Sequence, residues 1–392
     1  MITTALRNLL QFLGYPRLLT EPDGSFAVGA LHTRAGTEGP ACQLFYPTGT
    51  AHKASTQSNK ATAPYFRAAA VHGLADYTQQ PADLLQFLHH ADHPCAFQAP
   101  PLPADKGQAS DKHPQTFPVV VFSHGLGGCL EMYTTLCQQV ASYGYFVVAV
   151  EHEEGSGAYA QAATDGTEIY YRRPDDTPYS RQKVLNFRRP FLEQRVKEIQ
   201  QTLDYLRTYS SHSATTTLLD KVLRGADTEK GVHLLGHSFG GATMVKVAQE
   251  LNHKDNNLRT ISLLDCWAFA LDDATLKKGC GTLPAFNILS HAWLTNPETE
   301  QVVELLQSHQ SSLASYSCPD SVHASFSDAS LWFPRWIARR VGILGTKENR
   351  YVTIQKVAAS VTAHMRDPSL DIPREGLQPF DVVTRSDVQS VP

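Results

Sequence analysis

The sequence predicts an α/β protein with a mostly parallel central sheet flanked by helices on both faces. Three observations point there. Short valine-rich apolar runs recur along the chain, segments with helical spacing lie between them, and a glycine-rich turn carrying a serine joins one such run to one such helix. Strands that alternate with helices form parallel units. A strand buried on both faces reads as a continuous apolar run rather than an alternating one.

The first hundred or so residues lack a regular pattern, apart from candidate short helices such as 82–90. From Phe117 the pattern becomes regular. Residues 117–123 (FPVVVFS) form the first run and 145–151 (YFVVAVE) the second; shorter runs follow at 232–235, 260–264 and 285–289. Leu192, Val196, Ile199, Leu203 and Leu206 recur every four and three residues, which is one apolar stripe on a helix. Pro190 fits the first turn of that helix, where its missing N–H costs nothing. Residues 132–143 and 240–251 are also helix-compatible. The stretch 153–178 reads as a long polar loop. Beyond Arg366 the chain carries Pro368, Pro373, Pro379 and Pro392. The expected organisation is one domain over 1–366 with an irregular N-terminal part, followed by a flexible tail over 367–392.

Composition limits the function classes. The chain has 392 residues, 42% hydrophobic and 18% charged, which suits a packed core and not a disordered segment. A formal net charge of -4 with no long basic run gives no reason to expect a nucleic-acid partner. Seven scattered cysteines, an odd number without a Cys-x-x-Cys pair, do not make a disulfide framework and fit a reducing compartment. The N-terminal apolar run is broken by Arg7, Asn8 and Gln11, which makes a poor signal peptide, and Ile2 offers no acceptor for myristoylation. No run of 18 apolar residues suggests a spanning helix. The expected location is cytoplasmic.

The chemistry begins at 232–241, VHLLGHSFGG. Within it Gly236-His237-Ser238-Phe239-Gly240 matches G-x-S-x-G, the nucleophile elbow of the α/β-hydrolase fold. The chain leaves a strand and enters a helix through so tight a turn that side chains at the glycine positions would meet neighbouring backbone. The serine sits strained at the apex, with its hydroxyl clear of the sheet. The helix N-terminus adds a positive dipole where negative charge develops.

A serine nucleophile needs an oxyanion hole. One donor is the amide after the nucleophile, Phe239. The other comes from the loop after an earlier strand, and His124-Gly125-Leu126-Gly127-Gly128 follows the 117–123 run directly, which assigns the Leu126 amide. The chain order of this fold is serine, acid, histidine. His253 lies too near the elbow helix, and His309 and His364 sit in helix-like surroundings. His291 follows a strand and competes; His323, on a late loop ahead of the helix-like 328–340, fits best. Asp265 ends the run at 260–264, where a carboxylate needs a partner and where such sites form. Its role would be to hold the imidazole tautomer. Asp272, Asp273 and Asp320 read as solvated loop charges. The cluster His89-His90-Ala91-Asp92-His93 reads as a polar surface turn rather than a zinc site, and no cofactor or metal is expected.

The blocks VVVFSHGLGG, FVVAVEH, LLGHSFGGAT, LLDCWAF and SVHASFSD, preceded by FAVGALHTRAG and CQLFYP, resemble in the same order those of the platelet-activating factor acetylhydrolases. The resemblance runs from about Phe26 to Arg340. It implies a triad of Ser238, Asp265 and His323 and oxyanion donors at Leu126 and Phe239. It also implies metal-free hydrolysis of short or oxidised sn-2 acyl esters of phospholipids, at lipid surfaces touched by apolar helices. Leu84, Leu85, Phe87 and Leu88 form one candidate contact, with core packing an equal reading. Leu331, Trp332, Phe333, Trp336 and Ile337 form another. Glu153-Glu154 stands where the family has Arg-Asp, and Cys266 stands for an alanine; both bear on acyl-length and head-group preference. A general carboxylesterase, a dienelactone-hydrolase-like enzyme, an acyltransferase and an inactive lipid-binding protein are the competing readings.

Overall fold

The computed structural model describes residues 2–49, 63–103, 115–175, 179–211, 217–252, 257–369 and 376–380. Its strands are β1 (Ala27–Arg34), β2 (Ala41–Thr48), β3 (Ala96–Phe97), β4 (Phe117–Ser123), β5 (Phe146–Val150), β6 (Tyr159–Gln161), β7 (Glu168–Tyr170), β8 (Ala226–His237), β9 (Leu258–Leu264), β10 (Ala285–Ser290), β11 (Leu313–Cys318) and β12 (Gln378–Pro379). The helices are α1 (Ile2–Phe12), α2 (Ala68–Thr78), α3 (Ala82–Leu85), α4 (Thr134–Ser142), α5 (Arg181–Ser211), α6 (Leu218–Leu223), α7 (Phe239–Leu251), α8 (Asp273–Leu276), α9 (Thr299–Gln307), α10 (Arg335–Arg340) and α11 (Arg350–Arg366).

Ten strands form one sheet in the order β12-β11-β10-β9-β8-β4-β5-β2-β1-β3. The central six, from β11 to β5, are parallel. β2 runs antiparallel to β5 and to β1. The apolar strands are explained by two cores, one on each face. Val119 and Val121 of β4 join α5 and α7 residues such as Ile199 and Val245, while Val120 and Phe122 join Leu136 of α4 and Val357 of α11. This is the α/β-hydrolase architecture expected of the sequence. A third apolar cluster gathers Leu10, Tyr65, Phe66, Phe87 and Trp332 beside the N-terminal helices.

Several element boundaries differ from expectation. The N-terminal part is not irregular throughout, since β1 and β2 pair residue for residue and extend the sheet. α5 begins at Arg181 and keeps Pro190 in its interior. Tertiary contacts support the turns before the proline: Arg181 donates to Leu271 O and pairs with Asp273 at 2.6 Å, and Arg188 donates to the Tyr171 hydroxyl at 2.7 Å. The polar stretch from 153 holds the β6–β7 hairpin, and 176–178 lie outside the described residues. The segment 328–340 is a 3-10 turn (Asp328–Leu331) followed by α10 rather than one helix, because Pro334 lies between them. In the expected tail, β12 pairs with β11, while 370–375 and 381–392 lie outside the described residues.

The parallel strands all end at one edge of the sheet. Ser123 of β4 lies abreast of Gly236 of β8, and His237 abreast of Leu264 of β9. The turns after β4, β8, β9 and β10 therefore meet at that edge, where sites form in open α/β sheets.

Candidate active site

β8 enters α7 through Ser238, whose φ is 56° and ψ is -119°. A non-glycine residue rarely adopts this geometry, so the turn is strained. The strain follows from crowding. A Cβ on Gly236 would sit 2.3 Å from Gly240 O, and one on Gly240 would sit 2.0 Å from Ser123 O. Only glycine fits either position. Ser238 N donates to Leu264 O at 2.9 Å, and its carbonyl accepts from Trp267 N at 2.9 Å, which pins the turn to the end of β9.

Asp265 follows β9, is wholly buried and also has a positive φ, 43°. Its carboxylate is fully partnered. Ser290 N donates to Oδ1 and Ser290 Oγ to Oδ2, both at 2.6 Å, and His323 Nδ1 bonds Oδ2 at 3.0 Å. Such a buried carboxylate is tolerated because each oxygen has donors. His323, in the turn after β11, keeps 37% of its side chain exposed. Its ring stacks on Trp293 at 4.3 Å with planes 15° apart, and lies 4.5 Å from the His237 ring. His237 immediately precedes Ser238, so this contact brings His323 to the elbow. Burial, with His323 alongside, pushes His237 well below the ordinary histidine range, and its Nδ1 bonds the Tyr133 hydroxyl at 2.8 Å. It is a neutral spacer at physiological pH.

The loop after β4 packs against the same turn. Gly127 N donates to Ser156 O at 2.8 Å and Gly128 N to Gly125 O at 3.1 Å, whereas the Leu126 amide has no protein acceptor among the described residues. Phe239 opens α7, and its amide is one of the orphan donors of a helix start. Two N–H groups without a protein acceptor thus belong to the loop and the helix start that meet at the serine.

The sequence candidates Ser238, Asp265, His323, Leu126 and Phe239 therefore converge at one sheet edge. Among the described residues, none of the competitors bonds Asp265 or His323. His291 is exposed, and its neighbour Ser290 makes the contact to Asp265. His309 accepts from Cys280 N, and His364 stacks on Phe286. His253 lies outside the described residues. Asp272 caps α8 and Asp273 pairs with Arg181. Among the described residues, the one group of three metal-capable side chains is His237, Asp265 and His323. The Asp265 carboxylate and His323 Nδ1 are committed to each other and to Ser290, and His237 Nδ1 to Tyr133. His93 of the histidine cluster bonds Gln43, and His89 bonds Phe66 O. Ser290, Trp293, Tyr133 and the buried Arg195 were missed in the sequence, because nothing local marks them. The motif itself contained His237.

The family model for platelet-activating factor acetylhydrolase, isoform II, matches residues 17–376. The chain belongs to that family. Platelet-activating factor acetylhydrolase of Cavia porcellus is 28% identical over 244 residues, 59% of this chain and 53% of that protein. The enzyme of the same name from Gallus gallus is 29% identical over 245 residues, 57% and 55% of the two chains. The chain spans about half the length of these curated relatives. Ferulic acid esterase from Streptomyces cinnamoneus superimposes with a TM-score of 0.63 at 20% identity, covering 92% of this chain and 98% of its own. That likeness bears on the fold alone. As a member of the acetylhydrolase family, the chain keeps the GHSFGG, LLDCW and SVH blocks at the three convergent positions.

The implied lipid-contact residues divide. Leu85, Phe87, Leu88 and Trp332 are buried in the third cluster and Leu331 in the core beneath α4 and α11, so core packing accounts for them. Trp336 is 72% exposed and Val341 58%. α1 adds Leu9 and Phe12, with Leu13 just after it and Phe12 87% exposed, a surface not expected from the sequence. Among the described residues no helix is long and apolar enough to cross a membrane.

Proposed function

We propose that the chain is a serine carboxylic ester hydrolase that removes short or oxidised sn-2 acyl groups from phospholipids. The observation that carries ester hydrolysis is the 3.0 Å bond from His323 Nδ1 to the buried Asp265 carboxylate, beside Ser238 on its strained turn. With Nδ1 committed, the other ring nitrogen is free to accept a proton. His323 takes the Ser238 proton as Oγ attacks the ester carbonyl, and the Leu126 and Phe239 amides hold the oxyanion. His323 then gives the proton to the departing glycerol oxygen, which leaves as the lysophospholipid. It next deprotonates water, which attacks the acyl-enzyme and frees the acid, and Ser238 recovers its proton. Protein groups and water supply every step.

The phospholipid substrate is supported by family membership. Docking on a lipid surface is supported by the exposed apolar side chains of α1 and α10. A cytoplasmic location is supported by seven unpaired, buried cysteines.

The test is acetate release from a 2-acetyl ether phosphocholine, with EDTA present, by wild type and Ser238→Ala. Turnover by wild type and a fall of about 10,000-fold in the variant are expected. A wild type that cleaves simple soluble esters but not this lipid is a general carboxylesterase. One inactive on both supports the lipid-binding alternative.

A further inference from the structure

We infer that Arg195, a buried arginine of α5 that touches no substrate, is the positioning residue that holds the two oxyanion donors in place; this rests on the ester-hydrolase reading above. Its guanidinium is wholly buried, yet none of its contacts is incidental. NH1 donates to His124 O at 2.7 Å. NH2 donates to Ser156 Oγ at 2.5 Å, and the Ser156 carbonyl accepts from Gly127 N at 2.8 Å. The two points so fixed, His124 and Gly127, flank Leu126. On the other side the guanidinium lies 4.6 Å over the Phe239 ring and reaches Thr243 Oγ1 of α7 at 3.5 Å. One planar cation therefore bridges the loop bearing one donor and the helix start bearing the other. Nε donates to Glu154 Oε1 at 2.6 Å, which neutralises the buried charge.

A second chain of bonds returns to the same face of α5. Ser123 Oγ bonds His152 Nε2 at 2.8 Å, and His152 Nδ1 bonds Glu198 Oε2 at 2.6 Å. Arg195 NH1 also donates to Ser123 Oγ at 3.3 Å, so it touches this second chain as well. This is serine, histidine and carboxylate in relay order, but Ser123, His152 and Glu198 are 0%, 0% and 2% exposed, so no substrate reaches them. Arg195 and Glu198 are three residues apart on one helix face and clamp both ends of the 123–127 segment.

Oxyanion donors act only within a narrow range of distances, and a misplacement of about 1 Å costs about 100-fold in rate. A lysine keeps the charge of Arg195 but cannot span His124, Ser156 and Phe239 at once. The experiment measures kcat and KM for p-nitrophenyl acetate, and affinity for a trifluoromethyl ketone that forms the tetrahedral oxyanion, in wild type, Arg195→Lys and Ser156→Ala. Thermal unfolding reports whether each variant folds. Expected are a fall in kcat of about 100-fold for Arg195→Lys and about tenfold for Ser156→Ala, with KM within about twofold. Ketone affinity should fall with kcat. Folded variants with wild-type kcat and ketone affinity overturn the inference, as does a loss that appears in KM instead. If Arg195→Lys does not fold, Ser156→Ala decides alone, since it removes only a hydroxyl and keeps the carbonyl that holds Gly127. A wild type inactive on the ester overturns the hydrolase reading; an active wild type with unaffected variants overturns the Arg195 role alone.

Discussion

At the residue scale, Asp265 has the narrowest requirements. It occupies a left-handed conformation at φ 43°, accepts from Ser290 twice and orients His323. Asparagine tolerates that backbone but has one acceptor oxygen where aspartate has two. Its amide N–H₂ would face Ser290 Oγ or His323 Nδ1, favouring the wrong imidazole tautomer. Asp265→Asn is therefore expected to fold and to lose kcat by about 1,000- to 10,000-fold with little change in KM. Steady-state kinetics on a soluble ester check this, and a variant within tenfold of wild type would remove Asp265 from the proposed triad. The stacking of His323 on Trp293 makes a smaller, separate contribution to ring orientation.

At the scale of elements, α5, α1 and α10 carry what the rest of the fold does not. α5 reaches the sheet edge with Arg195 and Glu198, and its length before Pro190 depends on contacts with Leu271, Asp273 and Tyr171. α1 and α10 leave large apolar side chains in water, which a folded chain tolerates singly but seldom in groups. Lipid docking predicts that replacing Leu9, Phe12 and Trp336 together with serine lowers binding to phosphatidylcholine vesicles by about tenfold or more. Hydrolysis of a soluble ester should stay within about twofold. Co-sedimentation measures the first quantity and a colorimetric assay the second. Unchanged vesicle binding would leave these side chains without a lipid role.

At the scale of the whole molecule, Asp328 joins three distant regions. It accepts from Thr135 N of α4 at 3.1 Å and from the Tyr65 hydroxyl at 2.9 Å, while Trp332 Nε1 donates to Tyr65 at 3.1 Å. Burial raises its pKa from 3.8 to about 7, against the hydrogen bonds from Thr135 and Tyr65. The folded state therefore holds this proton more tightly than the unfolded chain does. The resulting stabilisation is complete below about pH 4 and is lost as pH rises through about 7. Its ceiling is about 4 kcal/mol. Urea unfolding should show wild-type stability falling between about pH 4 and about pH 7, and a flatter profile for Asp328→Asn, whose amide does not ionise. Parallel profiles would show that Asp328 carries none of the pH dependence.

The sequence by itself determined the elbow and the layered fold, and it named the five candidate residues at the site. The elbow is legible because its constraint is local: five consecutive residues must clear one another, and only glycine clears Gly240 O or Ser123 O. The parallel strands are legible because burial on both faces leaves an apolar run. His323 was less so, since chain order alone left His291 open. The 3.0 Å contact joins Asp265 to a residue 58 positions away, and it exists because β10 lies between β9 and β11. The same neighbourhood puts Ser290 on Asp265 and Trp293 on His323. Arg195 was invisible for the same reason. On the helical stripe of α5 it reads as a surface charge, and only the packing of α5 turns it inward, between the loop after β4 and the start of α7, more than a hundred residues apart in the chain.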